Sequence, residues 1–219
     1  MVITTNPFSQ LAEFVPPIAI QIFVIAMVAL VIIGTLLDII HKKNVKYFFE
    51  NAKKAKKSAK KNLTTGEKTS VVLKTIASDI ATTSELGAGK RRAAHLLGMY
   101  GTILFWIGSV VMIFCYVKPS SETPSIWPII WHVGAIMTIL GGSWFWFFLR
   151  VDVYSEAHPW YRIIKADLFV LALVASSFFG LIWSFLQSMS LQDRWDDKVF
   201  LVFFIVSNLI LFGGVYWSK

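Results

Sequence analysis

The sequence predicts an all-α fold: an integral membrane bundle of five transmembrane helices, N-terminus outside and C-terminus cytoplasmic. Three observations predict it. The 219 residues are 56% hydrophobic and only 16% charged, with mean hydropathy +0.63, whereas soluble domains are roughly a quarter charged. The apolar residues gather in five blocks near the ~20 residues that a helix needs to cross a ~30 Å hydrocarbon layer. Finally, 18 of the 21 Lys and Arg residues lie on segments that five crossings place on one side. The positive-inside rule makes that side the cytoplasm.

Residues 1–17 form an external segment without Lys or Arg, closing on Pro16-Pro17, a pair suited to the start of a helix rather than its interior. The first span, 18–40, lacks the basic n-region and small-residue cleavage site of a signal peptide and is too long for an h-region, so it stays as a helix. A basic cytoplasmic helical loop follows over 41–92. Its first part, HKKNVKYFFENAKKAKKSAKK, is rich in the helix formers Ala and Lys and prolongs the first helix. Val45, Phe48 and Phe49 give it an apolar stripe, after which Lys53, Lys54, Lys56, Lys57, Lys60 and Lys61 dominate. Such a face can rest on anionic lipid headgroups, at ~1 kcal/mol per nearby cation, or dock an acidic soluble partner. In 62–92, Val71, Val72, Leu73, Ile76 and Ile80 predict one short amphipathic helix between glycine-containing boundaries. About thirty residues cannot bury a core of their own, so this segment needs the membrane surface or a partner.

The second span is 93–117 and the third 126–149; a cytoplasmic loop, 150–165, leads to the fourth, 167–186, and the fifth is 199–217. The external connections KPSSETPS and SMSLQDRWDDK are too short for a catalytic domain. Gly98, Gly101, Gly108, Gly141, Gly142, Ala172, Ser176, Gly180, Gly213 and Gly214 are read as helix-packing positions, because lipid offers no hydrophobic drive for association and close approach must supply it. Trp127, Trp131, Trp183, Trp195 and Trp217 lie near predicted span ends and read as interfacial belts. The run WFWFF at 144–148 reads as lipid-facing bulk.

Candidate chemistry rests on four histidines and one cysteine. Cys115 alone permits no intrachain disulfide, CxxCH haem attachment or Cys-ligated cluster. His41, His95 and His158 fall at the inner boundary. His132 stands six positions past Ile126, roughly 9 Å into the third span. His95 and His132 are therefore separated by roughly 15–20 Å along the membrane normal, too far to share one metal. Each is a separate candidate for cofactor contact, ahead of His41 and His158. Asp167 complements the dipole of the fourth helix, and Ser207, Asn208 and Gln187 are the other intramembrane polar groups. A transporter would show broken helices or a mid-membrane charge, and neither is visible. The pI of about 9.6 arises from lysines beside a membrane and gives no reason to invoke nucleic acid.

Five spans and a histidine opening the second resemble the gamma subunit of respiratory nitrate reductase. They also resemble the b-type cytochrome subunits of heterodisulfide-reductase, sulfite-reductase and quinone-interacting oxidoreductase complexes. The segments RRAAHLLGMYG, WHVGAIMTILGGSWFWFFLR and ADLFVLALVASSFFGL carry the likeness. It implies a membrane anchor for a soluble cytoplasmic iron–sulfur or flavin subunit, exchanging electrons with quinone through haem b in a cytoplasmic (inner) membrane. His95 matches the first histidine of the family's second helix. Phe105 stands where a second ligand often lies, and the fifth span has no histidine at all. A haem-poor or haem-free relative fits those departures better, and the membrane anchor associated with adenylylsulfate reductase is one. Beside the redox reading stands a second: a cofactor-free structural subunit of a membrane enzyme complex.

Overall fold

The computed structural model describes residues 2–42, 44–58, 64–87, 89–118, 122–150, 161–165, 167–189 and 195–214. Every regular element among the described residues is helical. The main helices are α1 (Pro7–Leu11), α2 (Pro17–Lys42), α3 (Asn44–Ser58), α4 (Thr65–Thr75), α5 (Lys90–Cys115), α6 (Ile126–Trp144), α7 (Asp167–Ser188) and α8 (Asp196–Gly213). Wider, π-type turns prolong α4 over Ile76–Ala81 and α6 over Phe145–Leu149.

Four helices are long and apolar enough to cross a membrane: α2, α5, α6 with its extension, and α7. The fifth predicted span corresponds to α8. Its 18 residues open with Asp196, Asp197 and Lys198, leaving the apolar part short of the ~20 residues a span requires. The predicted end, 215–217, lies outside the described residues.

Helices α5 to α8 pack successively, each against the next, and α2 closes the bundle against α8 and α5. One end of the bundle carries α1, and the other carries α3, α4 and most of the cations; these are called the α1 end and the basic end below. The α5–α6 seam is the tightest. A Cβ built on Gly101 would stand 2.6 Å from the Thr138 amide nitrogen and 2.9 Å from the Gly134 carbonyl oxygen. One on Gly108 would stand 2.9 Å from Trp131 Cβ, and one on Gly141 2.7 Å from the Ala94 carbonyl oxygen. Backbone meets backbone there, the arrangement that small residues permit between membrane helices.

Toward the α1 end an aromatic core fills the bundle. Phe105 lies 5.0 Å from Trp131 between ring centroids, and Trp183 stacks on Phe204 at 5.7 Å. Here the structure corrects the sequence reading. Trp131 and Trp183 are 0% and 1% exposed, core residues rather than members of an interfacial belt. The indole Nε1 of Trp131 is satisfied internally, donating to Ser109 Oγ at 2.9 Å, which removes the need for an interfacial partner. Trp195, 75% exposed, does stand uncovered, and Trp217 lies outside the described residues. The 144–148 run is mixed: Phe147 and Phe148 are exposed, whereas Trp146 is buried beneath the Arg150 guanidinium, 4.2 Å from its ring centroid.

The segment before α2 is likewise more than a leader into that helix. Asn6 caps α1, its Oδ1 accepting from the Phe8 amide at 3.0 Å, while its Nδ2 donates to the Tyr116 carbonyl and to Thr123 Oγ1. Phe8 is 3% exposed and meets Trp131 and Trp183 edge-on at 6.0 and 5.6 Å. Helix α1 is a plug seated in the core.

Candidate functional site

His95 and His132 lie at different levels of the bundle. His95, in the second turn of α5 at the basic end, is exposed and makes no hydrogen bond among the described residues. His41 is exposed at the end of α2, and His158 lies outside the described residues. His132 is 4% exposed within α6. The contact of Gly108 with Trp131 fixes the α5–α6 register. His95 precedes Gly108 by thirteen residues, so it lies about 20 Å along the axis from the level of His132.

Both ring nitrogens of His132 are engaged. Nδ1 lies 2.7 Å from the Pro128 carbonyl oxygen and Nε2 3.0 Å from Ser184 Oγ. A carbonyl only accepts, so Nδ1 carries the proton, and the neutral Nε2 accepts from the Ser184 hydroxyl. The lone pair a metal would need is thus committed to α7, and His132 serves as a polar cross-link between α6 and α7. A bis-imidazole haem on His95 and His132 does not fit this geometry. Phe105, at the position where the resemblance implies a second ligand, is a fully buried core residue. Among the described residues no three His, Cys, Asp or Glu side chains group to hold a metal ion.

Two polar arrangements stand at the basic end. Arg150 grips Asp167 through both carboxylate oxygens, with Nε donating to Oδ1 at 2.7 Å and Nη2 donating to Oδ2. Nη2 also donates to the Arg162 carbonyl, and Asp167 Oδ2 accepts from the Ile164 amide at 2.8 Å. The two side chains are only 11% and 10% exposed. This bidentate pair ties the end of α6 to the start of α7, so Asp167 answers to Arg150 as well as to its helix dipole. The second arrangement anchors the segment after α4. Arg92 Nε donates to the Thr82 carbonyl and the Tyr100 hydroxyl to the Ala81 carbonyl, each at 2.7 Å. The Ser78 and Ser84 hydroxyls donate to Asp79 and hold its carboxyl below the usual value.

Several apolar side chains among the described residues of this end are exposed. Helix α4 begins at a capping box in which Thr64 Oγ1 accepts from the Glu67 amide and Glu67 accepts from the Thr64 amide. Its apolar residues Val71, Val72 and Leu73 are 54%, 55% and 61% exposed. On α3, Tyr47, Phe48 and Phe49 are exposed beside Lys53, Lys54, Lys56 and Lys57. Lys60 and Lys61, the other predicted docking residues, lie outside the described residues.

Sequence reasoning missed a half-open cavity of about 420 Å³ bounded by α1, α2, α5, α7 and α8. It is lined by apolar side chains except for Ser109, Asn208 and the indole of Trp106, and no charged residue contributes. Its signal was faint: one asparagine and one serine on otherwise apolar spans. No family model, curated protein or solved structure matches this chain.

Proposed function

We propose that this protein is the membrane anchor subunit of a redox enzyme complex, holding a soluble cytoplasmic flavin or iron–sulfur subunit against its basic end. In this reading the chain crosses the cytoplasmic membrane five times, N-terminus outside, and serves contact with the quinone pool. One observation carries it. At a single end of the bundle, exposed aromatic residues of α3, the lysines Lys53, Lys54, Lys56 and Lys57, and the exposed apolar residues of α4 occur together. Apolar surface rimmed by charge marks an interaction site, and cations suit an acidic partner by steering its approach.

A second reading, a structural subunit without a cofactor, is favoured by the commitment of both His132 nitrogens to Pro128 and Ser184. The same docking surface serves either role. The test is affinity purification of the full chain from its native membrane at low salt. The anchor reading expects a co-purifying soluble subunit with flavin or iron–sulfur absorbance, released by salt. Replacing Lys53, Lys54, Lys56 and Lys57 with Glu should abolish its retention. A purified chain bringing down only colourless membrane subunits supports the second reading, and labelling of residues 42–92 from the outside sinks both.

A further inference from the structure

We propose that the cavity between α2 and the α5–α8 wall binds one neutral long-chain quinone or quinol, its ring held by the Asn208 carboxamide. This deepens the anchor reading and rests on its placement of the chain in a membrane. It places quinone contact away from His95, which is exposed at the basic end.

The shape selects a chain. Along α2 the lining runs from Ala19 to Ile32, about 20 Å at 1.5 Å per residue. Walls this apolar exclude water, because a water molecule needs several polar partners, and they accept hydrocarbon instead. The long, narrow lining suits a prenyl or alkyl tail rather than a compact polar substrate.

The head is selected by Asn208. It lines the cavity and is 7% exposed, and among the described residues its one hydrogen bond donates Nδ2–H to the Phe204 carbonyl at 2.8 Å. Its carbonyl Oδ1 and its second N–H are unspent. Ser109, in the same wall, has spent its donor on the Phe105 carbonyl and one lone pair on Trp131, so it has no donor for a quinone carbonyl. Asn208 Oδ1 is open to the cavity rather than sealed in protein, and in apolar surroundings a ligand with one matching polar group supplies the partner that hydrocarbon cannot. The carboxamide offers a donor to a quinone carbonyl and an acceptor to a quinol hydroxyl, so one side chain serves both oxidation states.

Depth and charge exclude lipids with a charged head. Asn208 follows Lys198 by ten residues, about 15 Å of helix, half of a ~30 Å hydrocarbon layer. A phospholipid keeps its phosphate at the interface, and the cavity has no cation to draw one inward. Only a neutral head can travel to that depth.

Trp106 and Trp183 line the cavity and report occupancy directly. The full chain in detergent micelles is titrated with a decyl-tailed benzoquinone, and tryptophan quenching is followed. Saturable quenching is expected. Asn208→Leu should weaken binding about tenfold, and Val24→Trp, which fills the groove, should abolish saturation. Ala19→Phe is a second obstruction should Val24→Trp fail to fold. Linear, partition-type quenching in the wild type overturns the proposal. So does saturable quenching that Asn208→Leu leaves unchanged, since the groove would then select only a tail. The titration needs no partner protein: quinone binding without a retained soluble subunit sinks the anchor reading alone, and the reverse pattern sinks this site alone.

Discussion

Two glycines on one helix face, Gly98 and Gly101, provide a matched test of the α5–α6 seam. Substituted by alanine at Gly101, the new methyl would stand 2.6 Å from the Thr138 amide nitrogen and 2.7 Å from Met137 Cβ. Ordinary contact begins near 3.4 Å, so the helices must part by about 0.8 Å, and the obstructing atoms belong to backbone and a Cβ that no rotamer can move. Overpacking of this kind costs ~1–3 kcal/mol, and an immovable neighbour puts Gly101→Ala near ~3. The better helix propensity of alanine returns ~1 kcal/mol, for a net loss of ~2 kcal/mol, roughly thirtyfold in the folded-to-unfolded ratio. A methyl on Gly98 meets nothing closer than 3.9 Å, so Gly98→Ala keeps the propensity gain without the clash. The two variants should therefore differ by ~3 kcal/mol. The assay is reversible unfolding by dodecyl sulfate in mixed micelles, read by tryptophan fluorescence, with Trp131 across the seam as reporter. A Gly101→Ala midpoint at or above that of the parent, or two variants shifting together, refutes the close-approach account.

Ser184→Ala should cost ~1–3 kcal/mol in the same assay, because it strands a buried imidazole nitrogen. A cycle with His132→Phe should show coupling of ~1 kcal/mol, and additive effects would dissolve the proposed cross-link. Asp167→Ala leaves the Arg150 guanidinium nearly buried and unpaired; ~3–5 kcal/mol should be lost, and a loss under 1 kcal/mol in an unfolding titration contradicts the burial. Asp79 gives a pH dependence. Its folded-state carboxyl is held low by Ser78 and Ser84, so its contribution is present above the unfolded value of about 3.9 and is lost as pH falls through the folded one. Amide exchange over 76–86, corrected for intrinsic rates, should be less protected at pH 3 than at pH 6; equal protection removes the role of those hydroxyls.

The helices and their order were legible because lipid imposes one simple requirement, an apolar run of sufficient length, which α2, α5, α6 and α7 meet. The small residues also spoke plainly: Gly101, Gly108 and Gly141 lie where a side chain would strike the neighbouring helix. Position within a span proved a poorer guide to environment. Trp131 and Trp183 stand near span ends, as belt residues do, yet the plug formed by α1 extends the core to cover them. That plug was hidden because its anchors, Asn6 and Phe8, meet residues more than a hundred positions away. No local periodicity encodes such a meeting. His132 illustrates the same limit: its type suggested a ligand, while its partner, Ser184, lies 52 residues downstream. Asn208 drew notice only as a polar residue in a span, and the void beside it exists only once α2 has closed on α5 and α8.

The seating of α1 has a bearing on biogenesis. On the ribosome, α1 emerges before Tyr116, Trp131 and Trp183, the residues that form its socket. It must wait, uncommitted, while four later hydrophobic stretches are inserted, and settle only afterwards. Closure across such separations is slow relative to hairpin-like pairing of successive helices. Helix α1 is thus a keystone, made before its socket and set last. Bulky fusions ahead of Asn6 should therefore stall assembly at its final step, while leaving insertion of the spans intact.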